Sequence, residues 1–314
     1  MPLDHYVSQV HLRNFYSPIL GGRLYAIRKS DLKRFTPRSQ DVCRIQNNST
    51  NAYLLHDRAI EEFLKTVEAK YNDSVAQLRK GEIDRESVHA VAGFVAYVAS
   101  CAPAAIRLGI APLQTQLRAT AAILDRQGTF GQAPEALGGR SLTELLADGT
   151  VDFEIDPKYP QALGISSILY KTSVFGNSPW EILLNQDADS PFFSSDFPVA
   201  IELRKDGILN RIVPLAPDVA VRIIPDIRLS GTKPDLSFPH FSFRRETLSR
   251  ADVLAVNRLI VQCAEELVFS RDDRDWIEDF VAKNRCYWIQ PITKQVARGT
   301  GFLTIASQRI AKRQ

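Results

Sequence analysis

Between residues 58 and 80, apolar side chains recur every three or four positions: Ile60, Phe63, Leu64, Val67, Tyr71, Val75 and Leu78. On a helix turning every ~3.6 residues this spacing makes one apolar stripe. It predicts a single amphipathic helix over 58–80, ended by Gly81. Asp84 can cap the helix that follows. That helix contains the uncharged stretch AVAGFVAYVASCAPAAI (90–106), which has no polar face. It falls short of the roughly 20 residues needed to span a bilayer and contains Pro103, so it reads as a helix buried on all sides and bent or broken near that proline. A further helix over 113–126 is expected to start after Pro112, and Ser141 with Glu144 forms a capping box for a short one.

After about residue 170 the period changes. Short apolar or alternating runs at 180–184, 192–195, 199–203, 211–215 and 219–224 are separated by Pro, Gly, Asp and Asn, the pattern of a sheet built from short strands. GGRLYAIRK (21–29) reads as a turn and a strand that could join that sheet, and polar 35–49 as a surface loop. Helix returns over 246–269, with Leu248, Val253, Val256, Leu259, Ile260, Cys263 and Leu267 on its apolar side, and again over 274–283. The expected class is α+β in one domain, 1–314: helix-rich over 50–175, strand-rich over 176–230 and helical over 244–285. The helical N-terminal half would pack with a small mixed or antiparallel sheet and the C-terminal helices.

Composition adds little beyond globularity. Of 314 residues 45% are apolar and 24% charged, which argues against disorder, and 39 basic against 36 acidic residues leave a net charge of +3 that neither requires nor excludes nucleic acid. Cys43, Cys101, Cys263 and Cys286 are scattered with no CxxC pair. With no signal peptide, they predict a cytoplasmic protein without membrane association or structural zinc.

The familiar phosphate-loop, dinucleotide, HExxH and GxSxG signatures are absent. Four features carry candidate chemistry. His5, beside Tyr6 in an aromatic-rich opening, can shuttle protons or ligate metal, or can simply pin the N-terminus. Glu61 and Glu68 lie two helical turns apart, about 10 Å along one face, with Lys65 between them able to pair with either. They are metal-ligand candidates or part of a solvated salt-bridge stripe. Asp196 follows a hydrophobic run in PFFSSDFP, at a strand end, where it serves chemistry or an Asx turn. Asn257 interrupts an otherwise apolar helix face, so it faces solvent or bonds something buried.

Together these motifs resemble a family of bacterial proteins known as domain of unknown function 4238. Its HYVPxxxLRxF opening is matched by His5-Tyr6-Val7-Ser8 and Leu12-Arg13-Asn14-Phe15, and its GKLYVYDK-like strand by Gly22 through Lys29. Its IExxLxxIE helix is matched by Ile60-Glu61 and Val67-Glu68, and its FITSDNPV strand by Phe193 through Val199. PLSP corresponds to Pro214-Leu-Ala-Pro217, and the late Asn and Ser to Asn257 and Ser270. Ser8 replaces the usual proline, Phe197 the Asn of SDNP, and Cys101-Ala102-Pro103 lacks the arginine of RxP. The resemblance brings no established activity, but it places His5, Glu61, Glu68, Asp196 and Asn257 on the family's characteristic polar positions. Residues of these types assemble hydrolytic or metal-assisted sites. Two readings follow. One is a nuclease-like hydrolase of a nucleic acid or nucleotide substrate, with His5, Asp196 and Asn257 catalytic and Glu61 and Glu68 binding a divalent cation, Mg²⁺ or Mn²⁺. The other is a non-catalytic binding or regulatory module in which the same residues form a hydrogen-bonded lock.

Overall fold

The central element is the helix Arg85–Cys101, in which every residue from Val88 to Cys101 except His89 and Ala99 is buried. The computed structural model describes residues 3–313 except Ser230, Thr232 and Thr300. Asp84 starts the helix as expected, its carboxylate accepting the Ser87 N–H at 2.7 Å. Four helices, Ala59–Glu68, Tyr71–Lys80, Lys158–Ser166 and Ile168–Gly176, surround it, which satisfies its all-apolar circumference within protein. Among the described residues no single helix is long and apolar enough to cross a membrane.

Three helix boundaries differ from the periodicity. The single helix expected over 58–80 is two, Ala59–Glu68 and Tyr71–Lys80, broken at Ala69 and Lys70. The apolar stripe continues across the break because both segments pack on the same central helix. The chain does bend by 60° at Ala102–Pro103, but the next helix already starts there and runs Pro103–Arg126. Pro112 therefore sits inside it rather than at a start, and removes only the one bond its N–H would make to Leu108.

The helix expected over 246–269 is confined to Arg250–Cys263, where Ser249 and Asp252 form a capping box. Ala264 leaves the helix in an extended conformation, and the β-branched and aromatic run Leu267–Ser270 becomes a strand. Ser242–Thr247, before the helix, is a strand as well.

Two sheets divide the strand-rich region. In the first the order is Ser242–Thr247, Pro179–Leu184, Val219–Ile223, Leu209–Ala216, Ala200–Leu203; all neighbours are antiparallel except the outermost Ser242–Thr247, which runs parallel to Pro179–Leu184. In the second, Tyr25–Arg28 lies between Arg34–Phe35 and Leu267–Ser270, and Ser194–Ser195 completes the antiparallel set. The early strand thus joins later ones, through a sheet distinct from the larger one. The expected loop over 35–49 contains a short strand, Arg44–Gln46, paired with Leu3–His5. Beyond the last helix, Asp275–Asn284, two strands with no counterpart in the sequence reading, Tyr287–Arg298 and Gly301–Lys312, form a long antiparallel ribbon. Buried Lys29 ties it to the second sheet, donating to the carbonyls of Ala264 at 2.5 Å and Tyr287 at 2.9 Å. The architecture is α+β, as expected.

Candidate functional site

Pairing of Leu3–His5 with Arg44–Gln46 fixes the first residues of the chain, with His5 opposite Arg44. The Tyr6 N–H continues the ladder to the Cys43 carbonyl at 2.8 Å, and the Tyr97 hydroxyl donates to the His5 carbonyl. A strand and a one-turn helix, Gln9–Arg13, then face the Ala59–Glu68 helix across a cleft of about 450 Å³. His5, Asp4 and Arg13 lie on one side; Glu61, Lys65 and Glu68 lie on the other.

His5 is half-buried, and its Nε2 is shielded from solvent without a hydrogen-bond partner among the described residues. Burial pushes its pKa below the ordinary 6.5, and the Arg44 charge adds to this. The backbone carbonyls of Ser39 and Gln40 and the charge of Glu68 act the other way. The net result is a neutral imidazole at pH 7, able to accept a proton.

The two carboxylates are not bare. Glu68 accepts a hydrogen bond from the Ser8 hydroxyl, and Glu61 from the Arg58 guanidinium, whose Nε lies at 2.9 Å. Lys65 pairs with neither of them; it turns to Glu62 at 2.6 Å. Among the described residues, no three His, Cys, Asp or Glu side chains come together in a group that could hold a metal ion.

Asp196 and Asn257 stand apart from this cleft. Asp196 is 4% exposed, and its carboxylate accepts three backbone N–H groups: Glu265 at 2.9 Å, Glu266 at 2.8 Å and Leu267 at 3.0 Å. These bonds fix the turn from the Arg250–Cys263 helix into the Leu267–Ser270 strand. Burial pushes the Asp196 pKa up to about 6, although the three donors favour its charged form. Asn257 has no exposed surface; its Oδ1 accepts the Phe193 N–H at 2.8 Å and its Nδ2 donates to the Pro191 carbonyl at 2.9 Å. Each residue therefore holds one partner's backbone, Asn257 at 191–193 and Asp196 at 265–267.

The five residues singled out by sequence split accordingly. His5, Glu61 and Glu68 line one accessible cleft, whereas Asp196 and Asn257 are sealed and hydrogen-bonded. A sixth polar residue, His11, belongs to the same opening stretch but carries no role in the sequence pattern. It is fully buried, with Nδ1 2.8 Å from the Tyr71 hydroxyl, Nε2 2.8 Å from Ser194 Oγ, and its ring stacked on Phe94 at 4.6 Å. The signal was its position between Val10 and Leu12 and just before Phe15, an apolar setting in which a polar ring needs internal partners. Ser8, which stands where the family has proline, supplies the hydroxyl on Glu68.

The model of the family described as protein of unknown function (DUF4238) matches residues 4–274, a span that contains the cleft and the sealed pair alike. No curated protein and no solved structure matches the chain.

Proposed function

The chain belongs to the family of proteins of unknown function DUF4238, and on that footing we propose a cytoplasmic hydrolase whose site is the cleft at His5. The observation that carries this reading is a half-buried, neutral His5 lining the same 450 Å³ cleft as Glu61 and Glu68. His5 would take a proton from water as its oxygen attacks phosphorus and return it to the ester oxygen as the P–O bond breaks, with Arg13 offering a positive charge at the same opening. The substrate class is a phosphoester of a nucleic acid or nucleotide. Mg²⁺ is commonly held by one or two carboxylates together with substrate phosphate oxygens. Glu68 or Glu61 would supply one such carboxylate, each giving up its present bond to Ser8 or Arg58. All four cysteines are free, in keeping with a reducing compartment.

The test is turnover of RNA, DNA and nucleotides, each with Mg²⁺, Mn²⁺ or chelator, by wild type, His5→Ala and Glu68→Gln. We expect His5→Ala to lower the rate by about 100-fold or more, the ordinary contribution of a general base. Equal background in all three proteins would overturn the hydrolase. The sealed pairing of Asp196 and Asn257 favours the second reading, a non-catalytic binding or regulatory module, for that part of the polar set. On this reading no substrate is turned over, and His5→Ala lowers the melting temperature.

A further inference from the structure

A second cavity, of about 420 Å³, lies away from the His5 cleft, where the Pro103–Arg126, Lys158–Ser166 and Ile168–Gly176 helices meet the larger sheet. Its walls are largely apolar, with Leu108, Leu163, Phe175 and Phe197 among them. Into this setting the fold puts two cations, Lys171 and Arg211. The Lys171 ammonium donates to Ser100 Oγ at 2.8 Å, and Arg211 Nη1 donates to Gln308 Oε1 at 2.9 Å. Both acceptors are neutral. Among the described residues, neither cation has a carboxylate within ion-pairing distance, whereas most arginines with close partners here find an acid.

Two positive charges facing one apolar cavity are unfavourable without a counter-charge. Each is partly withdrawn from water, and each repels the other. The consequence is visible in their acidity: burial pulls Lys171 down to about 8, with the Arg211 charge adding to it, and burial pulls Arg211 down to about 10. A core of this volume could have been filled with aliphatic side chains. Two cations with only neutral acceptors at an apolar cavity suit an anionic ligand. Lys171 supplies a compact charge, and Arg211 a planar fork suited to two oxygens.

We propose that this cavity binds a small organic anion, with its carboxylate or phosphate head between Lys171 and Arg211 and its apolar body against Leu108, Leu163 and Phe175. Inorganic phosphate alone gains the charge contacts but not the apolar burial, and so binds more weakly than an anion that carries a hydrocarbon body. The site is independent of the His5 cleft, so its fate does not depend on the hydrolase reading.

Calorimetric titration with octanoate, phenyl phosphate and inorganic phosphate tests this, alongside melting of wild type, Lys171→Met and Arg211→Met. Saturable binding of octanoate or phenyl phosphate to wild type, at least tenfold tighter than inorganic phosphate, is expected. Both probes join an anionic head to an apolar body, so saturable binding of either supports the site. Lys171→Met should lose at least tenfold in affinity while melting at or above the wild-type temperature without ligand, because a cation without a counter-charge has been removed. Should Arg211→Met fail to fold, Lys171→Gln provides the second variant and the same loss is expected. No saturable binding of any probe to wild type, or undiminished binding to Lys171→Met and Lys171→Gln, would overturn the proposal.

Discussion

His11 and Ser194, 183 positions apart, meet at 2.8 Å in a place water does not reach. The other ring nitrogen is 2.8 Å from the Tyr71 hydroxyl, so one short helix is tied to both the helical layer and the second sheet. The ring works there only when neutral, with one nitrogen donating and the other accepting. Burial accordingly pushes its pKa down to about 3 from 6.5. The unfolded chain takes up a proton near pH 6.5 while the folded one resists it until about pH 3, so stability falls as pH drops through that window. Across the whole window the difference is on the order of 4 kcal/mol, and from pH 7 to 4.5 about 2–3 kcal/mol. Denaturant unfolding of wild type and His11→Gln at both pH values isolates it. The gap between the two proteins should narrow at the lower pH, and an unchanged gap would remove His11 as the acid-sensitive element.

Asp196 acts in the opposite sense over part of that range. Its folded pKa of about 6 lies above the ordinary carboxylate value, so its contribution to stability is complete at low pH and declines as pH rises through 6. Its three backbone bonds engage both carboxylate oxygens. Asp196→Asn keeps one oxygen and turns an amide donor toward another donor. The expected loss is about 1–3 kcal/mol, the penalty of an orphaned buried N–H. Turnover per folded molecule at the His5 cleft should be unchanged. A large loss of activity with no loss of stability would return Asp196 to a catalytic role.

Asn257 supplies the reciprocal half of this connection. Asn257→Leu preserves size but leaves the Phe193 N–H and the Pro191 carbonyl without the partners they have in the native chain. Two orphaned buried groups predict about 2–4 kcal/mol of destabilisation in a denaturant titration. Asn257→Asp retains the acceptor for Phe193 and should be milder at acid pH than at neutral pH, where a buried charge adds its own penalty. Equal stability of all three proteins would show that the 191–193 segment is held by other contacts.

Local signals were legible in the sequence where local physics decided them. The Asp84 cap, the Ser141 capping box and the strands at 180–184, 200–203 and 219–223 all depend on neighbouring residues. The break at Ala69–Lys70 left no mark, because an apolar stripe does not record a kink that keeps both segments on the same helix. Leu267–Ser270 was absorbed into a helix because its apolar residues fit either period; pairing with Tyr25–Arg28, more than 200 residues earlier, decided the outcome. At the candidate site, polar positions were visible but their grouping was not. Nothing near Asp196 in sequence announces that its partners are the N–H groups at 265–267.

Gly176 ends the Ile168–Gly176 helix directly beneath the ring of Phe238. A Cβ added there would lie 2.3 Å from Phe238 Cε1 and 2.4 Å from Cδ1, well inside van der Waals contact. The ring has little freedom to retreat. Phe238 is 6% exposed and its backbone holds φ at 55°, the left-handed region that a bulky residue occupies only under constraint. Gly176→Ala should therefore destabilise by about 1–3 kcal/mol despite the better helix propensity of alanine. Phe238→Ala should also destabilise, by removing a buried ring. Once the ring is gone, Gly176→Ala should have little further effect or a mildly stabilising one. A double-mutant cycle measured by chemical unfolding checks this directly: a coupling of at least about 1 kcal/mol is expected, and strict additivity would mean that the ring does not rest on Gly176.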